Sequence, residues 1–108
     1  MPNENLKEVQ QKIKEFCKKY NLESLPEHRV LDAMSELGEV AKEILKMSDY
    51  GRKPIKFKEE IKSELGDLLY SLITIANYFG IDLEEALNIV IEKYEKRLKK
   101  GSAGSEND

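Results

Sequence analysis

The sequence predicts an all-α fold: a four-helix, bundle-like subunit. Three observations carry that expectation. Apolar residues recur at i, i+3 and i+4 in four separate segments. Breaks rich in Gly, Pro, Asn and Asp fall between those segments. No stretch alternates apolar and polar residues at the period of a strand, and no repeat of solenoid length appears.

The first helix is expected from about Leu6 to Tyr20, with Leu6, Val9, Ile13, Phe16 and Cys17 at helical spacing. Asn21 and the stretch through Pro26 break it. The second opens near Pro26, a residue tolerated in a first turn, and runs to about Met47. Its apolar stripe is Val30, Leu31, Met34, Leu37, Ala41, Ile44 and Leu45. Ser48 to Pro54 is a polar loop. The third helix runs from about Lys58 to Tyr78. From Leu68 to Phe79 it is apolar on most sides, which predicts the central, most buried helix. Gly80 ends it as a C-terminal glycine does. Asp82 then caps the fourth helix, with Glu85 three residues later in capping-box register. That helix extends to about Lys100, with Leu83, Ala86, Leu87, Val90, Ile91, Tyr94 and Leu98 expected inward. Residues 1–100 read as one domain, and the small, polar segment 101–108 as a disordered tail.

A chain of 108 residues buries a modest core, so self-association would help it. Charged residues make up 36% and the net charge is −3, with lysines interspersed among acids. That balance excludes a basic surface for a nucleic-acid polymer. Free nucleotides remain compatible, because a metal offsets repulsion between acid and phosphate. Cys17 stands alone, so no internal disulfide forms, and it is expected to be a small buried side chain. The amino terminus has no apolar core of a signal peptide. Leu68 to Phe79 is too short to span a bilayer. A cytoplasmic location without membrane attachment is the expectation.

Chemistry concentrates in two short acidic motifs, Ser35-Glu36-Leu37-Gly38-Glu39 and Ser63-Glu64-Leu65-Gly66-Asp67. Each places carboxylates at i and i+3, on one helix face. If the second and third helices pack antiparallel across their short loop, Glu39 and Glu64 both lie roughly 10 Å from it, at ~1.5 Å per residue. The motifs then meet at one height. Converging carboxylates cannot all remain ionised without a cation, which suits a hard divalent metal. On the third helix Glu60, Glu64, Asp67 and Ser71 form one stripe, continued by Thr74 and Tyr78. On the second the stripe is Asp32, Glu36, Glu39 and Glu43, nearly opposite the apolar face. A facing helix or a second subunit therefore has to enclose it. The bland alternative is a pair of solvated acidic faces. Gly38 and Gly66 each cost roughly 1 kcal/mol against Ala in a helix, which points to close helix approach or room for a ligand.

Glu36-Leu37-Gly38-Glu39, followed by Glu64-Leu65-Gly66-Asp67-Leu68-Leu69, resembles the ExxE…ExxD signature of MazG-like nucleoside triphosphate pyrophosphohydrolases. These belong to the all-α NTP pyrophosphatase superfamily, with dimeric dUTPases and phosphoribosyl-ATP pyrophosphatases as relatives. The resemblance covers about Leu25 to Lys99. It implies metal-dependent cleavage of a nucleoside triphosphate between the α- and β-phosphates, giving the monophosphate and pyrophosphate. It implies Mg²⁺, with Mn²⁺ as the alternative, held by Glu36, Glu39, Glu64 and Asp67, with Glu36 or Glu39 as base to the attacking water. Ser35 stands where many members carry a further Glu, which bears on how many metals are held at rest.

By the same resemblance Lys93 and Arg97, one turn apart, contact phosphates; a solvated terminal helix is the alternative. His28 is expected to line the nucleotide pocket, or to sit exposed where the helix begins. Asn77, a polar amide in an apolar segment, either bonds a base or sugar or is a satisfied core amide. The loop bearing Lys46, Arg52 and Lys53 either closes over phosphates or is a polar turn.

An acid face that needs a partner, with Tyr70, Ile73 and Tyr78 left over on the third helix, predicts a homodimer or homotetramer, as the resemblance also implies. A non-catalytic helical module that binds nucleotide or a protein is the competing reading. A di-iron carboxylate bundle is disfavoured, because those sites use Glu-x-x-His pairs and this chain has a single histidine, remote from the acids.

Overall fold

The computed structural model describes residues 3–101; the expected tail from 102 onward lies outside the described residues. Four helices follow in order: α1 (Leu6–Lys19), α2 (Pro26–Met47), α3 (Glu60–Tyr78) and α4 (Leu83–Lys99). Their ends follow from local chemistry. Asn5 and Glu8 form a reciprocal capping box on α1: the Glu8 N–H donates to Asn5 Oδ1 at 2.8 Å, and the Asn5 N–H donates to Glu8 Oε1 at 2.9 Å. Pro26 occupies the first turn of α2, behind an extended Leu25. After α2, Asp49, Tyr50 and Gly51 take φ of 48°, 59° and 87°, and the Tyr50 N–H closes back on the Leu45 carbonyl at 2.7 Å. Asp82 caps α4 by accepting from the N–H groups of Glu84 and Glu85, at 2.9 and 3.3 Å.

α2 and α3 form the main hairpin. Val40 and Met47 pack with Ile61, and Leu68 closes over them. Its antiparallel sense shows in Glu36 lying beside Asp67 and Arg29 beside Tyr70. As expected, α3 is the central helix: Ile61, Ser71, Ile73, Thr74 and Ala76 are all buried along it. Gln10 clasps α1 to the α3–α4 turn. Its Nε2 donates to Asn77 Oδ1 (3.1 Å) and to the Ile81 carbonyl (2.9 Å), its Oε1 accepts from the Leu83 N–H (2.9 Å), and its carbonyl accepts from Asn77 Nδ2 (3.0 Å). Cys17 is buried, as expected, with Sγ 3.1 Å from the Tyr70 hydroxyl.

Three sequence expectations about faces are corrected. The apolar stripe expected to face the core from α2 lies outside, with Leu31, Met34 and Leu37 at 62%, 68% and 55% exposed. The buried stripe is Ala33, Val40 and Met47, with Glu36 and Glu43 half-buried between them. The acids thus face α3 in their own subunit. Tyr70 and Ile73, expected to be left over, are used internally; Ile73 is fully buried. No residue of α4 is buried, and Leu87, Ile91, Tyr94 and Leu98 are exposed. The first and third share a reason: α2 and α4 each leave their broader apolar face open. The radius of gyration, 17.0 Å, exceeds the roughly 13 Å of a compact chain of this length.

The first turn of α3 starts at Glu60 rather than Lys58. Lys58 and Glu59 make i+3 bonds to Ile61 and Lys62 before the α-helical pattern begins. No helix among the described residues is long and apolar enough to cross a membrane.

Candidate functional site

Glu36 sits one α2 turn before the buried Val40, so the helix face that packs on α3 carries its carboxylate inward. Glu64 and Asp67 arrive from α3, at i and i+3 on the facing stripe. One oxygen-donor atom from each of Glu36, Glu64 and Asp67 lies within 4.8 Å of the other two. Ala33 and Ser71, small residues of the two helices, are buried.

The electrostatics reflect the crowding. Glu36 is raised above the ordinary value of 4.5, first by desolvation, then by a hydrogen bond shared with Asp67 and by repulsion from Asp67, Glu64 and Glu39. A raised carboxylate among others is a proton-binding site, and by the same repulsion a cation-binding one. Three hard oxygen donors with an open side suit Mg²⁺, which keeps waters and phosphate oxygens in its shell.

Glu39 stands outside that triad. It is exposed one turn further along α2, close enough to contribute to the field at Glu36. The cleft beside the triad measures about 330 Å³ and is lined by Arg29, Asp32, Glu36, Asp67, Tyr70 and Ser71. Arg29 was not singled out by sequence reasoning, yet a signal existed: it lies seven residues before Glu36, two turns earlier on the same face. Its guanidinium lies 5.6 Å from the centre of the Tyr70 ring and 4.0 Å from the Asp32 carboxylate. The Tyr70 hydroxyl is pushed up by burial, then by its contact with Cys17, with Arg29 opposing.

The remaining candidates are dispersed. His28 is exposed in the first turn of α2, with Nδ1 3.4 Å from Ser24 Oγ. Both polar atoms of the Asn77 amide are engaged by Gln10, and the side chain also borders a second cavity of about 120 Å³. Lys93 and Arg97 flank the Tyr94 ring at 5.6 and 5.7 Å on α4, and neither lines the acidic cleft. Of the basic residues expected around the α2–α3 connection, Lys46, in the last turn of α2, pairs with Glu43 at 3.5 Å and Arg52 pairs with Asp49 at 3.4 Å. A Cβ on Gly38 or Gly66 would meet nothing within 4 Å. Close helix approach inside the subunit therefore does not explain these glycines.

Comparison with known proteins matches this arrangement to one family. The family model of the MazG nucleotide pyrophosphohydrolase domain matches residues 26–102. Over 67 residues the chain is 45% identical to YpjD of Bacillus subtilis strain 168, covering 59% of each. Over 48 residues it is 35% identical to the nucleoside triphosphate pyrophosphohydrolase/pyrophosphatase MazG of Thermotoga maritima, covering 44% of this chain and 19% of that one. The match thus spans about three fifths of the first relative and about a fifth of the second. The crystal structure of YPJD from Bacillus subtilis superposes with a TM-score of 0.73 at 32% identity, over 90% of this chain and 99% of that one. The crystal structure of the Bacillus-conserved MazG protein, a nucleotide pyrophosphohydrolase, superposes with a TM-score of 0.74 at 27% identity, over the full length of both.

Proposed function

Because this chain belongs to the MazG nucleotide pyrophosphohydrolase family, we propose that it hydrolyses nucleoside triphosphates to the monophosphate and pyrophosphate with Mg²⁺, in the cytoplasm. The observation that supports this best is the meeting of Glu36, Glu64 and Asp67 within 4.8 Å. Those three carboxylates, with Glu39 one turn further along α2, would hold the cation. A divalent cation held by these residues would make a coordinated water more acidic and offset the charge of the leaving pyrophosphate. Glu36 or Glu39 takes the proton of the water that attacks phosphorus and forms the new P–O bond. The bond from the α-phosphorus to the oxygen bridging to the β-phosphate breaks, and the pair of electrons leaves on pyrophosphate.

Substrate contacts follow in this reading. Lys93 and Arg97 meet phosphates once a second copy brings α4 to the cleft, and His28 borders the nucleoside. Asn77 positions that wall, its amide held by Gln10. The uncovered faces of α2 and α4 support a homodimer, or a homotetramer built from two. A panel of canonical and modified nucleoside triphosphates, assayed with Mg²⁺ for product identity, tests the reading. Monophosphate and pyrophosphate in equal amounts are expected. Nucleotide binding without turnover for every member of the panel would overturn it in favour of a non-catalytic module.

A further inference from the structure

We propose that Arg29 is a substrate-contacting residue, gripping a phosphate of the bound nucleotide where two cavities of the subunit meet. This rests on the reading of the acidic cleft as a nucleotide site. Arg29 lines both cavities. On one side is the cleft that holds Glu36 and Asp67. On the other is the cavity of about 120 Å³ bordered by Lys14, Ser24, Thr74, Asn77 and Tyr78. A ligand that places phosphates at the carboxylates and its nucleoside in the second cavity has to pass the guanidinium.

The side chain is built to be a fixed cation there. It is 12% exposed. It donates to the Leu22 carbonyl of the α1–α2 connection and lies against the Tyr70 ring. That ring is itself tied down by Cys17. Asp32 stands 4.0 Å away, beyond hydrogen-bond range, so it balances the charge without occupying the fork. Of five N–H donors, the Leu22 carbonyl takes one and the Tyr70 hydroxyl draws on another, which leaves others for a ligand. Among the residues lining the acidic cleft Arg29 carries the positive charge. A planar, preorganised fork suits a tetrahedral phosphate far better than a lysine does.

The alternative is a clamp that joins α1, α2 and α3 and never meets a ligand. Two variants, Arg29→Lys and Arg29→Gln, separate these roles. Binding of an α,β-methylene nucleoside triphosphate and of the corresponding nucleoside is measured by calorimetry in the presence of Mg²⁺. The lost charged hydrogen bonds predict analogue affinity roughly ten- to hundredfold weaker in both variants. Nucleoside binding and melting temperature should hold in Arg29→Lys. Equal losses for analogue and nucleoside, or wild-type analogue affinity in Arg29→Lys, would overturn the assignment. As a check free of folding effects, the Arg29 Nε–H NMR signal of the wild type should shift with the analogue and not with the nucleoside; an unmoved signal counts against contact. Wild-type protein that binds the analogue through Arg29 but releases no pyrophosphate would sink the enzymatic reading and leave this one standing. If it binds no analogue, both fall.

Discussion

Glu36 is where sequence, packing and chemistry meet. Its position in an i, i+3 acid pair made it a ligand candidate, and the packing of α2 on α3 sets its carboxylate against Glu64 and Asp67. Because it binds its proton more tightly when folded than the ordinary 4.5, the unfolded state holds fewer protons at intermediate pH. The contribution of Glu36 to the stability of the metal-free protein is therefore fully present below about the ordinary glutamate value. It falls as pH rises through the raised value of Glu36. A cation that replaces the proton removes this loss. Melting curves from pH 4 to 8 should show the Mg²⁺-induced rise in Tm growing through that window. The growth should be absent in Glu36→Gln, while a pH-independent Mg²⁺ effect would contradict the coupling. Arg29 shows what single-residue reading misses: one basic residue among eighteen stands out only after its two-turn offset from Glu36 is placed on a helix face.

At the scale of elements, the α2–α3 hairpin builds the cleft and the Gln10 clasp fixes α1 and the α3–α4 turn beside it. Gln10→Ala leaves the Ile81 carbonyl, the Leu83 N–H and Asn77 Oδ1 without their partner, while Asn77 Nδ2 keeps the backbone carbonyl of residue 10. The expected cost is about 3 kcal/mol, read as a lower denaturation midpoint at constant slope. A loss under about 0.5 kcal/mol would mean water replaces the clasp.

Helix spans were legible because capping and glycine signals are local: Gly80, Asp82 and Pro26 stand where expected. The approach of Glu36 to Glu64 and Asp67 was legible because two equal motifs straddle one short loop. The face of α2 that meets α3 was not. Periodicity reports that a helix is amphipathic, and the broader apolar stripe through Leu31, Met34 and Leu37 drew the assignment. The core used the narrower Ala33, Val40 and Met47 stripe, since only small or flexible side chains leave room for carboxylates between the helices. The exposure of α4 was equally hidden, because its apolar spacing is the same whether its own subunit or another covers it.

At the scale of the whole molecule, α2 and α4 leave many large apolar side chains exposed in stripes, the kind of surface that marks an interface, and the extended shape agrees. Leu37→Glu, on the open side of α2, leaves the α2–α3 contact untouched. It should convert a dimer or tetramer to monomer in sedimentation velocity. Wild-type protein that sediments as a monomer at micromolar concentration would contradict the assembly. Those apolar faces, and the glycines 38 and 66 with nothing near them, make sense together if the missing neighbour is a second copy.

The central claim is that the carboxylates of α2 and α3 hold the cation that drives pyrophosphate release. The most direct measurement is the initial rate of pyrophosphate release with Mg²⁺ from the best substrate of the panel, in wild type and in Asp67→Asn, with folding of both checked by circular dichroism. Losing a ligand to the cation is expected to lower the rate at least about a hundredfold. A folded Asp67→Asn protein that releases pyrophosphate at the wild-type rate would contradict the account.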